Sequence, residues 1–252
     1  LILAGIYGAL ISSFLNVVIY RLPRGESIIS PPSRCPGCGA RVRPWDNIPI
    51  LSWLLLGGRC RDCKKPISIR YPLVEAAGAA LVVLVVHRWG LTPTAAIYAA
   101  FSLSMLVITL IDLDHQIIPD AITIPGTLLA LALVNWTDPT WLDALIGAAA
   151  GFAVLYGVGE IYHRSTGIDG MGGGDIKMAA YMGAMLGWKG VLLAIFLGAL
   201  LGSVAGITTM VIGKGHRRTA LPFGTFLAPA SVITLFFGQA LIGAYIGLIF
   251  RP

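Results

Sequence analysis

Leu103-Ser104-Met105-Leu106-Val107-Ile108-Thr109-Leu110-Ile111-Asp112 decides how this chain is read: nine mostly apolar residues end on a carboxylate. A second carboxylate, Asp175, follows Gly170-Met171-Gly172-Gly173-Gly174 and precedes another apolar run. Ionisable groups at membrane depth are costly and usually functional. Carboxylates at the ends of two separate apolar helices therefore point to a paired site.

Composition places those runs in lipid. The 252 residues are 56% hydrophobic and only 12% charged, against roughly 25% charged in a soluble domain. Spanning a bilayer takes about 20 apolar residues. Eight segments qualify as candidates: 1–20, 72–87, 94–112, 121–136, 140–162, 176–187, 189–213 and 226–250. The expected fold is an all-α polytopic membrane bundle of about eight helices, since a barrel would read as short alternating strands. The expected division is a first membrane helix (1–20), a polar loop (21–71) and a helical region (72–252). The first helix reads as a retained anchor: it lacks a basic n-region and an A-x-A-like site, and Arg21 and Arg24 follow it. Gly147, Gly151, Gly157, Gly198, Gly202 and Gly206, within the spans, read as sites of close helix packing.

Lysine and arginine placement sets the expected orientation. Ten of the eighteen lie in 21–71, which puts that loop in the cytoplasm. Threading eight spans places Arg164, Lys177, Lys214, Arg217 and Arg218 on the same side, with Arg88, Lys189 and Arg251 opposite. Asp112 and Asp175 then share the cytoplasmic face. The net charge of +6 is explained by this topology, and nucleic acid is not expected as a partner.

All four cysteines lie in the loop, as Cys35-Pro36-Gly37-Cys38-Gly39 and Cys60-Arg61-Asp62-Cys63. Two C-x2-C pairs 21 residues apart suit a tetrahedral four-thiolate zinc site. The alternative, two disulfides, is disfavoured in a reducing compartment. Four thiolates leave no open coordination position, so the expected zinc is structural and gives the loop a folded core.

Two close carboxyls can divide into an ionised and a protonated member, as peptide hydrolysis requires. Helix polarity alone favours negative charge on Asp175, at a helix N-terminus, and the proton on Asp112, at a helix C-terminus. Asp175 also reads as an ordinary N-cap. Spacing does not separate Asp112 from Asp114 and Asp120.

Leu110-Ile111-Asp112-Leu113-Asp114-His115-Gln116-Ile117-Ile118-Pro119-Asp120, and Gly172-Gly173-Gly174-Asp175 with Lys177, resemble the two active-site motifs of the prepilin peptidases. These are the type IV leader peptidases of the GxGD aspartic membrane protease group. Bacterial members are also resembled by Ser13 to Pro23, the paired cysteines, Asp46-Asn47-Ile48-Pro49 with Ser52-Trp53-Leu54, Ile67 to Pro72 with Glu75, and Pro222-Phe223-Gly224. The resemblance covers residues 5 to 230 or so, with the motifs in order.

That resemblance implies more than spacing does. It makes Asp112 and Asp175 the catalytic pair of an endopeptidase in the bacterial inner membrane. The enzyme would remove basic leaders from type IV prepilins or pseudopilins at the cytoplasmic face, after a glycine. Members with the cysteine loop also methylate the new N-terminus with S-adenosylmethionine. Asn47, Arg70, Tyr71 and Glu75 are the candidate residues for that step by placement alone, with an internal salt bridge as the alternative for Glu75; no G-x-G-x-x-G follows a strand. Lys177 would support charge on Asp175 or mark the interface. His115 reads as an interfacial histidine, and the tryptophans as an aromatic belt. A proton-coupled transporter and a zinc-bearing scaffold are the other classes of function open to this sequence.

Overall fold

The computed structural model describes residues 1–212 and 222–249. Lys214, Arg217, Arg218 and Arg251, used above for orientation, lie outside the described residues. The helices are α1 Ile2–Arg21, α2 Leu51–Leu55, α3 Arg70–Trp89, α4 Pro93–His115, α5 Asp120–Ala132, α6 Trp141–Thr166, α7 Gly173–Val211 and α8 Gly224–Ile249. No strand occurs among the described residues, only two isolated bridges in the cysteine loop.

Local chemistry sets the ends of these helices. Thr140 caps α6 by accepting the Asp143 N–H at 3.2 Å, and Gly167 closes it with φ 70°. Gln116, with φ 54°, ends α4 and donates its N–H to the Asp112 carbonyl at 2.8 Å. That left-handed residue stops the helix one turn beyond Asp112.

Among the described residues, six helices are long and apolar enough to cross a membrane, and they mark a multi-pass membrane protein: 2–24, 70–89, 93–115, 141–166, 173–211 and 224–248. The expected count of about eight is not matched by eight such helices. Segment 121–136 becomes a 13-residue helix followed by a 3-10 turn at Val134–Trp136. Segment 176–187 and residues 189–211 of segment 189–213 lie within α7. At 39 residues, a straight α7 would run roughly 58 Å, about twice a bilayer core. It is not straight: Gly187, at φ 71° and ψ 175°, breaks it into arms 173–186 and 188–211.

The arms fold back on each other. A Cβ on Gly151 of α6 would meet Ala179 O of the first arm at 2.3 Å and Val191 Cγ2 of the second at 3.0 Å. The second arm runs antiparallel to α8, with Gly190 near Thr234 and Gly198 near Leu227. Asp175 and the start of α8 therefore share one end of this helical group. Gly187, beside Pro139 and Asp143, turns at the other. Trp136, Trp141 and Trp188 cluster in sequence around that bend, as an interfacial belt would.

By contact, the chain divides into two compact units, Leu1–Leu103 and Ser104–Pro252. In the first, α1 packs on α3 through small residues: a Cβ on Gly8 would lie 2.9 Å from Ala79 Cα, and Gly78 makes room for the buried Ser12 hydroxyl. Ala4, Val82 and Leu103 form an apolar cluster. In the second, α6 and α7 meet backbone to backbone at Gly147 and Gly183. Lipid offers little hydrophobic drive for helix association, so such close approach supplies the packing that holds helices together. Gly157, expected among the packing glycines, instead has nothing within 4 Å of where a Cβ would stand.

A methyl group on Gly183 would fall 1.9 Å from Gly147 O. Gly183→Ala should therefore cost about 1–3 kcal/mol by overpacking, read as a lower thermal unfolding midpoint in detergent. Gly157→Ala should leave that midpoint unchanged or raised.

Candidate functional site

Asp112 sits in the last turn of α4 and is only 4% exposed. The structure separates it from its neighbours, because Asp114 and Asp120 are exposed. A buried carboxylate needs hydrogen bonds to offset its lost hydration. Asp112 finds them in Thr225, in the first turn of α8: the Thr225 N–H donates to Oδ2 at 2.6 Å and its hydroxyl lies 3.0 Å from the same oxygen. Gly224 allows this approach, since a Cβ there would lie 3.0 Å from Oδ2 and 2.7 Å from Ile118 Cδ1.

Asp175 is in the first turn of α7, yet it is not the N-cap. That position belongs to Gly172, and no side chain caps the helix. The Asp175 carboxyl turns back toward Gly172, whose Cβ would meet Oδ2 at 3.0 Å. Its Oδ1 is buried with no hydrogen-bond partner among the described residues. The two carboxyls are within electrostatic reach of each other. Ile118 helps bring the two sides together: it packs against Gly174 just before Asp175 and against Gly224 just before Thr225.

The ion partner of Lys177 is Asp120: the lysine Nζ pairs with Asp120 Oδ2 at 2.6 Å and ties the start of α7 to the start of α5. His115 is exposed at the end of α4. Thr225 and Ile118 were not singled out from the sequence. Their only sequence signal is position, Thr225 directly after Pro222-Phe223-Gly224 and Ile118 inside the motif that follows Asp112.

In the other unit, the four cysteines converge. Their sulfurs all lie within 4.8 Å of one another, Cys35 Sγ and Cys63 Sγ are 3.8 Å apart, and all four are free thiols, so the disulfide alternative is set aside. The group can hold a metal ion. Both halves repeat one backbone ring. Cys35 N–H bonds Ala40 O as Cys60 N–H bonds Lys65 O, and Gly39 N–H bonds Cys35 O as Lys64 N–H bonds Cys60 O. The fourth residue past each first cysteine is left-handed, Gly39 at φ 73° and Lys64 at φ 60°. The Gly37 N–H, 3.4 Å from Cys35 Sγ, pulls that thiol down to about 7, while against the Ala40 N–H the neighbouring sulfurs, Cys63 first, push Cys38 up to about 12, so the four thiols do not share one preference. Arg61 grips Asp46 through Nε and a terminal nitrogen and holds the Asp46 carboxyl below its ordinary value. The pair fastens the Pro44–Asn47 turn to the second cysteine pair.

The candidates for the methylation step lie in this unit too. Glu75, 8% exposed within α3, accepts the Ile50 N–H at 2.7 Å on Oε2. Ile50 has φ 62°, a costly conformation for a β-branched residue, and the carboxylate captures the amide that this geometry presents. Asn47 is exposed at the end of the preceding turn, and Arg70 is the half-buried first residue of α3. Asn16 Nδ2 donates to Tyr71 O at 3.3 Å and so joins α1 to the same helix start.

Metal analysis of the purified protein should find about one ion per chain, as a four-thiolate site takes one. Cys60→Ser should lose most of it. Lys64→Gly relieves a left-handed lysine and should retain it.

Comparison with known proteins gives the family. Residues 6–89 match the Bacterial Peptidase A24 N-terminal domain, and residues 99–207 match the Type IV leader peptidase family. A prepilin leader peptidase/N-methyltransferase of Pseudomonas putida is 37% identical, with the alignment covering 98% of this chain and 94% of the relative. Proteins of the same name from Pseudomonas aeruginosa and Aeromonas hydrophila are 36% and 37% identical, over 95% and 96% of this chain and 91% and 92% of theirs. No solved structure matches. With two buried or half-buried aspartates at helix ends and relatives aligned over nearly its whole length, this chain belongs to the type IV leader peptidase family.

Proposed function

We propose that this protein is a membrane aspartic endopeptidase that removes leaders from type IV prepilins or pseudopilins and then methylates the new N-terminus. The observation that carries the reading is Asp112, buried at a membrane-helix end, fixed by Thr225 and within electrostatic reach of Asp175. The names of the aligned relatives supply the substrate class and the second activity.

Hydrolysis then needs no other ionisable group. One carboxylate takes a proton from water as the water oxygen adds to the scissile carbonyl carbon. The protonated partner gives its proton to the carbonyl oxygen. Collapse of the tetrahedral adduct breaks the C–N bond, and a proton passes to the leaving amine.

The 21–71 loop is proposed as the part associated with methylation, with helices from residue 72 onward carrying the peptidase pair. Zinc is the metal we propose for Cys35, Cys38, Cys60 and Cys63. Tetrahedral Zn–S bonds of about 2.3 Å imply sulfur separations of about 3.8 Å, as between Cys35 and Cys63. Its role would be structural. S-adenosylmethionine supplies the methyl group when bound, and Asn47, Arg70 and Glu75, gathered about the turn before α2 and the start of α3, are the residues proposed to face it. Their support is the Glu75 to Ile50 hydrogen bond, which brings that turn to α3. The lysines and arginines in 21–71 favour a cytoplasmic face in the inner membrane.

Incubation with a prepilin in detergent or liposomes tests the reading. Wild type should release the leader, while Asp112→Ala and Asp175→Ala should each fall by more than about a thousandfold, on the scale of losing a group that acts as a unit with its partner. Cleavage persisting in both would overturn the proposed chemistry. On pre-cleaved pilin with labelled methyl donor, both aspartate variants should still transfer methyl, and Glu75→Ala should lose transfer more than cleavage.

A further inference from the structure

We infer that Asp112 is the member of the pair that carries the negative charge, held so by the first turn of α8 through Thr225, while Asp175 carries the proton. This rests on the aspartic-dyad reading and goes beyond it by giving each carboxyl a role and naming Thr225 as the positioning residue.

The donors decide the matter. A backbone N–H can only donate, so Asp112 Oδ2 is an acceptor, and the Thr225 hydroxyl stands 3.0 Å from the same oxygen. That N–H belongs to the start of α8, where amides lack helical partners and the positive end of the dipole lies. Judged on its own helix alone, Asp112 sits at the unfavourable negative end of α4. The third helix reverses that. Asp175 gains from the N-terminus of α7 and from the backbone N–H groups of Gly172 and of Asp175 itself, and it turns Oδ2 toward Gly172, but its Oδ1 is buried without a donor among the described residues. Two hydrogen bonds to one charged group together outweigh a terminal dipole.

Among the described residues, the other charges at this end of the helices are paired or exposed: around the end of α6, Glu160 pairs with Arg164 and His163 with Asp169. From α7, Asp175 itself faces Asp112 and Lys177 is taken by Asp120 of α5. On α4, Asp114 and His115 are exposed. The sequence of α8 contains no charged residue.

In the reaction, Asp112 accepts the proton of the attacking water while the water oxygen bonds to the carbonyl carbon. Asp175 passes its proton to the carbonyl oxygen. When the C–N bond breaks, the proton on Asp112 goes to the leaving amine and Asp175 recovers its own from the adduct hydroxyl.

The test is the pH profile of kcat/KM for prepilin cleavage. Thr225→Val removes the hydroxyl and keeps the N–H. Its acid limb should move up by about one pH unit, a tenfold change in ionisation, with the alkaline limb in place. Thr225→Ser should restore the wild-type acid limb. Thermal unfolding in detergent checks each variant, and Thr225→Ala gives the same reading if valine does not fold. Movement of the alkaline limb instead, an unchanged profile, or an equal loss at every pH would overturn the assignment. An active Asp112→Asn would overturn the dyad itself. An inactive Asp112→Asn with an unshifted Thr225→Val would overturn only the division of roles between Asp112 and Asp175.

Discussion

A carboxylate buried in a membrane helix has to be hydrogen-bonded by something that is not water, and the second unit is arranged around that requirement at Asp112. The donor is Thr225, and its N–H is free to donate because it lies at the start of α8. Gly224 is needed for that backbone to come close enough. Ile118 fills the space between Gly224 and Gly174, so the residue that follows the α4 turn also fixes the run of glycines leading to Asp175. One buried charge thus binds together the ends of α4, α7 and α8.

The rest of that unit keeps these ends in register through close backbone contacts. Gly147 and Gly183 leave no room for side chains between α6 and α7, and Gly198 brings α7 against Leu227 of α8. In lipid such contacts carry much of the association energy. The positions of the aspartates are therefore set by helix packing many residues away, including the bend at Gly187 that returns the second arm of α7 alongside α8.

Much of this was legible in the sequence. The helical class, the pairing of the cysteines and the two carboxylates at helix ends all follow from residue type, spacing and the length of apolar runs. The boundary between 176–187 and 189–213 fell at the bend itself. What was not legible depended on contacts between distant segments. Nothing local shows that Thr225 reaches Asp112, 113 positions away. Helix polarity was read from the helix on which each aspartate lies, and so left out the donor that the start of α8 brings to Asp112. Asp175 looked like an N-cap because residue preference at helix starts does not say which residue of the first turn takes the cap. Lys177 was close in sequence to Asp175 but paired with Asp120 instead.

The repeated ring in the cysteine loop has its own consequence. Each half closes its turn with the same two backbone bonds and offers only two sulfurs, so neither is a complete binding site. Arg61 of the second half also holds Asp46 in the segment between them. Order in one half is therefore linked to order in the other, and the segment has the form of a clasp with two jaws: an ion held by all four sulfurs would tie both jaws and the stretch between them at once.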